Sequence, residues 1–472
     1  MISRFLPGLF VPVALCALFL TAIVFRPLLP IDETRYMSVA WEMWLRGDWL
    51  APLTLNFELY HHKPPFLFWA INAAWSVFGV SRGSALIPIF LASLAFVYLT
   101  HRLARTLFDA KTASLIPYLT VGSLPFLLYG TLVMFDITLS VFILSSLLAL
   151  LSYARTRHPA FLLWMALAMG IGVLTKGPVM WLYVIFPVFL APVWLPALPG
   201  KTTKKGWLSW YGGCALAFFL STVPVLLWLI PVLKASDPDF AFWLIWEQTA
   251  GRISGNMGSS HARPIYFYLP FLPVLFLPWM ALPSFWRGLP SLRDAFQTQA
   301  GVRFIACWVI PVFIAFSLIS GKQPHYMLPL LPGILLFFAA RITTPVARLR
   351  IVASGMVAAL ILFQVISSQT IFKKYDLRPI ASYVQAHEDK DWAFVRKYQG
   401  EITFLGRLQK SFAPEEHGTL AAWFAAHPGG LAVVRYTHQS DIAGFDPIMT
   451  MSYRGRNIGV FQEKPATGVE TN

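Results

Sequence analysis

Six short stretches of this chain carry residue types able to do polar chemistry in an otherwise apolar sequence. They are Asp32-Glu33-Thr34-Arg35-Tyr36, Tyr60-His61-His62-Lys63-Pro64-Pro65, Phe135-Asp136-Ile137, Thr175-Lys176-Gly177-Pro178, His261-Ala262-Arg263-Pro264, and Ser320-Gly321-Lys322-Gln323-Pro324-His325-Tyr326. The carboxylates Asp32 and Asp136 could accept a proton from, or orient, an attacking hydroxyl. Lys63, Arg263 and Lys322 supply fixed positive charge for a phosphate, and Tyr326 could reach a bound headgroup. Cations on a leaving phosphate and a carboxylate near an acceptor are the parts that glycosyl transfer from a phosphorylated lipid requires. Each residue also has a plainer role. Asp32 could cap a helix, and Lys63 and Lys176 could be interfacial lysines that snorkel to water. Asp136 is harder to dismiss, because an acid inside an apolar span costs about 2.5–3.5 kcal/mol at mid-membrane and usually faces a wet cavity or a partner. His61 and His62 are the candidate ligands should a divalent metal bind, although adjacent histidines seldom share one metal in good geometry.

The elements that must position these residues are mostly membrane spans. Apolar runs recur over roughly 6–25, 85–103, 113–129, 132–153, 161–174, 179–195, 207–233, 265–284, 304–319, 327–340 and 351–368, eleven in all. With the N-terminus cytoplasmic, the inside loops hold 15 basic residues against two acids, Asp109 and Asp294, whereas the opposite face holds ten basic and nine acidic residues. The positive-inside rule therefore puts the polar stretches and the tail outside. The first run is longer than a secretory h-region and lacks a small-x-small cleavage site before Arg26, so it reads as an uncleaved anchor. Residues 36–45 have helical spacing, with Met37, Ala40, Trp41 and Trp44 along one side, and read as an interfacial helix. The long outside loop from Lys234 to Pro264 contains Gly251, Gly255 and Gly258 and could act as a lid.

Composition agrees with this plan. Of 472 residues, 57% are hydrophobic and 12% charged, at a mean hydropathy of +0.61, which excludes disorder and an ordinary soluble enzyme. The net charge of +15 is accounted for mostly by the inside loops, so no nucleic-acid partner is implied. Cys16, Cys214 and Cys307 each lie in an apolar run, giving no disulfide framework or thiolate metal cluster. After residue 370 the composition shifts: residues 371–472 carry 12 Lys/Arg and 11 Asp/Glu. Strands at 392–396, 431–436 and 458–462 with helices at 379–387 and 420–427 predict a small extramembrane α/β domain, so the expected domains are 1–369 and 370–472.

Taken in order, these stretches resemble the GT-C glycosyltransferases of the protein O-mannosyltransferase and aminoarabinose-transferase superfamily. The matching features are Asp32-Glu33-Thr34-Arg35-Tyr36 after the first span, Lys63-Pro64 before an apolar helix, the Asp136 region, Lys176-Gly177-Pro178, the His261/Arg263 loop, and Lys322…Tyr326 before Leu328-Pro329. The resemblance covers about the first 340 residues. It implies an α-helical polytopic membrane protein with about eleven spans, transferring a sugar with inversion from a polyprenyl-phosphate donor at the periplasmic face of a bacterial inner membrane. The acceptor would be a glycolipid or a protein hydroxyl. By the same resemblance Asp32 is the catalytic or acceptor-orienting carboxylate, and Lys63, Arg263 and Tyr326 hold donor phosphate, with Lys322 in reach of it. Glu33, Arg35, Tyr36, Tyr60, Asp136, Lys176 and His261 would shape the cavity. His61-His62 stands where aminoarabinose transferases typically carry Phe-Glu, so sugar and acceptor identity do not transfer. A flippase for a lipid-linked sugar is the competing class, but such transporters place charges near the midplane and show inverted repeats. A scaffold with a soluble cap leaves Asp136 unexplained.

Overall fold

The longest apolar runs form the longest helices. In the computed structural model, which describes residues 2–198, 206–244, 263–288 and 292–464, six helices are long and apolar enough to cross a bilayer. They are Gly8–Phe25, Arg82–Leu107, Phe135–Thr156, Trp207–Lys234, Ala300–Leu318 and Val346–Gln369, and a bent pair, Val179–Phe189 with Ala191–Ala197, makes a seventh if counted as one span. The remaining expected spans are shorter or interrupted helices, among them Ala160–Lys176, Ile265–Phe276 and Pro324–Ala339. Proline explains the interruptions: Pro270 and Pro329 sit inside 3-10 turns, and each removes a backbone donor from the ladder. The chain is a multi-pass membrane protein by these helices.

Two compact units divide the chain. One comprises residues 1–20, 50–52 and 61–362; the other comprises 21–49, 53–60 and 363–472. In the first, the helix Phe135–Thr156 is central: 72% of its apolar window is buried, against 22% for Trp207–Lys234. It packs on Ile87–Leu107 and on Ala160–Lys176. Close approach is bought with small residues, as at Gly170, where an added Cβ would lie 2.8 Å from the Ser221 carbonyl oxygen. Peripheral helices expose Leu208, Phe219, Leu227 and Ile351, the side chains a lipid-facing surface needs.

The second unit is built on a five-stranded sheet of β3 (Trp392–Val395), β4 (Ala413–Glu415), β5 (Leu431–Tyr436), β6 (Phe445–Tyr453) and β7 (Arg456–Glu463), in the order β4-β3-β5-β7-β6. β3 is parallel to β4 and β5, and β7 is antiparallel to β5 and β6. Period-2 alternation feeds two cores. Phe394, Val433, Ile458 and Val460 meet Ile380, Ala381 and Val384 of the helix Arg378–Ala386. Val395, Val434 and Phe461 meet Leu420, Trp423 and Phe424 of the helix Leu420–Ala426. The expected strands and helices of the tail are all present. Two strands were not expected: β4 is three residues long and contains Pro414, and β6 is an edge strand with Pro447 and a register shift between Pro447 and Met449.

The same unit takes in the helix Asp32–Arg46 and the small hairpin β1 (Thr54–Leu55) and β2 (Glu58–Leu59). This helix does more than lie on a surface, since ten of its residues are buried. Ser38 donates to the Gly400 carbonyl at 2.8 Å and Trp41 Nε1 to the Leu408 carbonyl at 2.9 Å. Gly400, at φ +70°, cannot be replaced cheaply, because a Cβ there would lie 2.7 Å from Ser38 Oγ. Glu42 fixes the hairpin: its carboxylate accepts the Asn56 and Phe57 amides at 2.8 and 2.9 Å, both residues having positive φ. The Asn56 side chain in turn pairs with both backbone groups of Phe412 at 2.9 Å.

Candidate functional site

In the first unit a helical hairpin creates the charged centre. Phe135–Thr156 and Ala160–Lys176 are joined by three residues, so the start of one lies beside the end of the other. Asp136 is in the first turn of its helix and Lys176 is the last residue of the next, each at the end its charge favours. Lys176 Nζ donates to Asp136 Oδ1 at 2.5 Å, and the carboxylate is buried. His325 Nε2 lies 4.0 Å from Asp136 Oδ2. The Lys176 ammonium also sits 4.5 Å from the centroid of the Tyr326 ring. Lys63, just ahead of the helix Phe66–Phe78, is 5.9 Å from the Phe135 ring and within electrostatic reach of Asp136. Three sequence-distant stretches thus converge on Asp136. His325 is the member that sequence reasoning passed over; its neighbour Tyr326 was singled out, and the histidine beside it was the available signal.

The turn that carries His325 and Tyr326 is anchored from several sides. The Arg263 amide donates to the Ser320 carbonyl at 3.0 Å, Tyr268 Oη donates to the Gln323 carbonyl at 3.2 Å, and Tyr183 Oη to the Tyr326 carbonyl at 3.4 Å. Lys322 is buried, and its ammonium donates to the Arg263 carbonyl at 2.9 Å and to the Ile319 carbonyl. It therefore ties residue 263 to this turn rather than projecting as a bare cation. Arg263 itself is exposed, its guanidinium 5.8 Å from the Phe267 ring. The rings of His61 and His62 are 4.4 Å apart, and His61 meets Trp243 edge-on at 5.1 Å. Among the described residues no three His, Cys, Asp or Glu side chains gather as a metal site. His261 and the glycine-rich stretch 251–258 lie outside the described residues.

In the second unit, Asp32 begins the helix Asp32–Arg46 but does not cap it; Ile31 occupies the cap position, without a side-chain hydrogen bond. The half-buried Asp32 carboxylate instead accepts a hydrogen bond from Tyr36 Oη, one turn on, at 2.9 Å. Burial first, and then the charge of Asp32, push the Tyr36 hydroxyl well above the ordinary tyrosine pKa, so it stays a proton donor to Asp32. Tyr60 is also buried, close enough to Tyr36 to act on it electrostatically. Glu33 points the other way: it pairs with buried Arg26 at 3.3 Å and accepts the Leu29 amide at 3.0 Å. Arg35 donates to the side chain of Gln399. Of the first polar stretch, Asp32 is the half-buried carboxylate, whereas Glu33 serves the fold.

Comparison with known proteins supports the family reading. Residues 62–228 match the model of the dolichyl-phosphate-mannose-protein mannosyltransferase family. An undecaprenyl phosphate-alpha-4-amino-4-deoxy-L-arabinose arabinosyl transferase of Pseudomonas aeruginosa is 34% identical over 341 residues, 68% of this chain and 58% of that protein. One of the same name from Enterobacter is 28% identical over 434 residues, 88% of this chain and 73% of its own. The chain spans just over half the length of the first of these relatives. The crystal structure of ArnT from Cupriavidus metallidurans bound to undecaprenyl phosphate superposes with a TM-score of 0.77 at 18% identity, over 96% of this chain and 97% of that one. The ordered loop motifs, the sequence similarity and the shared fold agree: the chain is an ArnT-like protein of GT-C architecture.

Proposed function

We propose that the chain is a glycosyltransferase that moves a sugar, with inversion, from a polyprenyl-phosphate donor onto an acceptor at the periplasmic face of a bacterial inner membrane. The observation that carries this reading is the convergence on Asp136 of Lys63, Lys176, His325 and Tyr326, from three sequence-distant stretches. Two lysine ammoniums lie within electrostatic reach of one buried carboxylate there, a concentration of positive charge suited to a phosphate. Lys63, Arg263 and Tyr326 are assigned to the donor phosphate, and Lys322 supports them by holding the Arg263 backbone. Asp136 keeps Lys176 and His325 in place. Asp32 is assigned to the acceptor.

In the reaction the acceptor oxygen forms a bond to the anomeric carbon as that carbon's bond to the phosphate oxygen breaks. The electron pair leaves on the polyprenyl phosphate, whose added charge the cations stabilise. If the acceptor is a hydroxyl, its proton passes to Asp32, while Tyr36 remains protonated and steadies that carboxylate. If the acceptor is an ionised phosphate group, no base is needed and Asp32 orients it. The lipid named for the relatives favours an undecaprenyl donor, and a lipid A-like or other glycolipid acceptor comes before a protein one.

The test is transfer of radiolabelled sugar from synthetic polyprenyl-phosphate-sugars, by purified protein, into total membrane lipid and protein fractions, with Asp32→Ala in parallel. Label entering one fraction, and absent with the variant, is the expected result and names the acceptor class. Donor translocation without any transfer would replace this reading with a flippase.

A further inference from the structure

The span Val346–Gln369 is followed at once by a short 3-10 turn, Phe372–Tyr375, that carries Lys373 and Lys374. Phe372 is buried and its ring meets Phe363 of the span edge-on at 6.2 Å, so the turn is fixed to the end of that helix. The tip of the β6–β7 hairpin packs against the same turn, with the Arg454 amide donating to the Lys374 carbonyl at 3.3 Å. That tip brings Arg454 and Arg456, both exposed like Lys373 and Lys374. All of these residues lie in the second unit. Between turn and hairpin is a cleft of about 280 Å³, lined by Thr370, Ile371, Lys374, Tyr375, Arg454 and Gly455. The acidic group in the turn, Asp376, is paired with Arg378. Arg454 also feels the buried carboxylate of Glu401, which in turn is paired with Arg435 at 3.2 Å. Ile371 in the cleft lining and Ile366 in the last turn of the span are exposed apolar side chains.

Lys373 and Lys374, within a few residues of the end of a span, stand at headgroup height, and the hairpin tip brings Arg454 and Arg456 to the same turn. A cleft with a cationic rim and an apolar foot matches one ligand chemistry: a phosphodiester headgroup whose acyl chains run along the helix. We propose that this cleft binds an anionic phospholipid of the surrounding bilayer, its phosphate between Lys374 and Arg454 and its acyl chains against Ile366 and Ile371. The site is separate from the sugar-transfer residues, and its occupant is membrane lipid rather than substrate. Its job would be to fix the sheet domain to the membrane surface through charge, which a span alone does not do.

The test is native mass spectrometry of the full chain released from nanodiscs of equal phosphatidylglycerol and phosphatidylcholine. We expect phosphatidylglycerol to be retained over phosphatidylcholine by roughly fivefold or more, and Lys374→Glu/Arg454→Glu to bring that ratio to about one. An equal ratio in the unaltered protein, or a preference that survives the double substitution, overturns the proposal. A photoactivatable phosphatidylglycerol used on the unaltered protein does not depend on the variant folding: label on peptides spanning 366–378 and 453–456 supports the site, and label confined elsewhere overturns it. Inorganic phosphate at millimolar concentration should leave the lipid in place; complete displacement would mean that the cleft reads free phosphate instead.

Discussion

Asp136 and Asp32 each sit in the first turn of a helix, one in the helical unit and one in the sheet-bearing unit, yet their company differs. Asp136 is buried between an ammonium and an imidazole. Asp32 is half-buried, takes part in none of the ion pairs among the described residues, and is held by a neutral phenol. A carboxylate whose charge is already matched is suited to holding its cations in place. One steadied by a neutral donor keeps its charge for an incoming group. The contrast assigns position to Asp136 and chemistry to Asp32, and substitution can break that assignment.

The largest expected effect is on activity at Asp32. Asp32→Ala should lower sugar transfer by about 10²–10⁴-fold if it acts as a base, while donor binding to the purified protein, followed by scintillation proximity, is kept. Loss of donor binding in that variant would move Asp32 to the phosphate side of the reaction. The converse holds for Asp136→Ala, which leaves the half-buried Lys176 without its carboxylate and should cost up to about 3–5 kcal/mol of stability, read as the unfolding midpoint in detergent. Removing both charges together, as Asp136→Leu/Lys176→Met, should recover most of that stability and none of the activity; recovered transfer would strip the pair of any role beyond structure. Glu42→Ala tests the sheet-bearing unit alone: two backbone amides lose their acceptor, for about 1–3 kcal/mol, visible as faster hydrogen exchange at Asn56 and Phe57. Smallest is Tyr36→Phe, expected to cost about 1 kcal/mol and a several-fold drop in transfer, with donor affinity unchanged in the binding assay.

The sequence was most readable where a local rule acts alone. The tail's buried strands Trp392–Val395 and Leu431–Tyr436 follow from short apolar runs between turn signals. Its edge strands escaped because Pro414 and Pro447 argue against a strand unless the strand is an edge, and a single sequence does not say which strands are edges. The polar stretches were legible by type: Asp32, Lys63, Asp136, Lys176 and Tyr326 stood out against apolar surroundings. Their partners were not. Glu33 and Asp32 are adjacent and chemically alike, and only the presence of Arg26 inside the fold tells the structural acid from the half-buried one. Lys322 looked like a free cation in its loop, whereas two carbonyls occupy its ammonium.

What the sequence determined by itself is thus the class of molecule and the inventory of its chemistry. Hydropathy over some twenty residues fixes spans because lipid gives the backbone no alternative partner, and loop charge fixes the expected orientation. What the tertiary structure decided is pairing. Whether Lys176 meets Asp136, whether His325 joins them, and whether Asn56 takes the backbone of Phe412 each depend on residues tens to hundreds of positions apart. Such contacts have no local period to announce them; they exist because helix ends and turns are brought together by packing elsewhere in the chain.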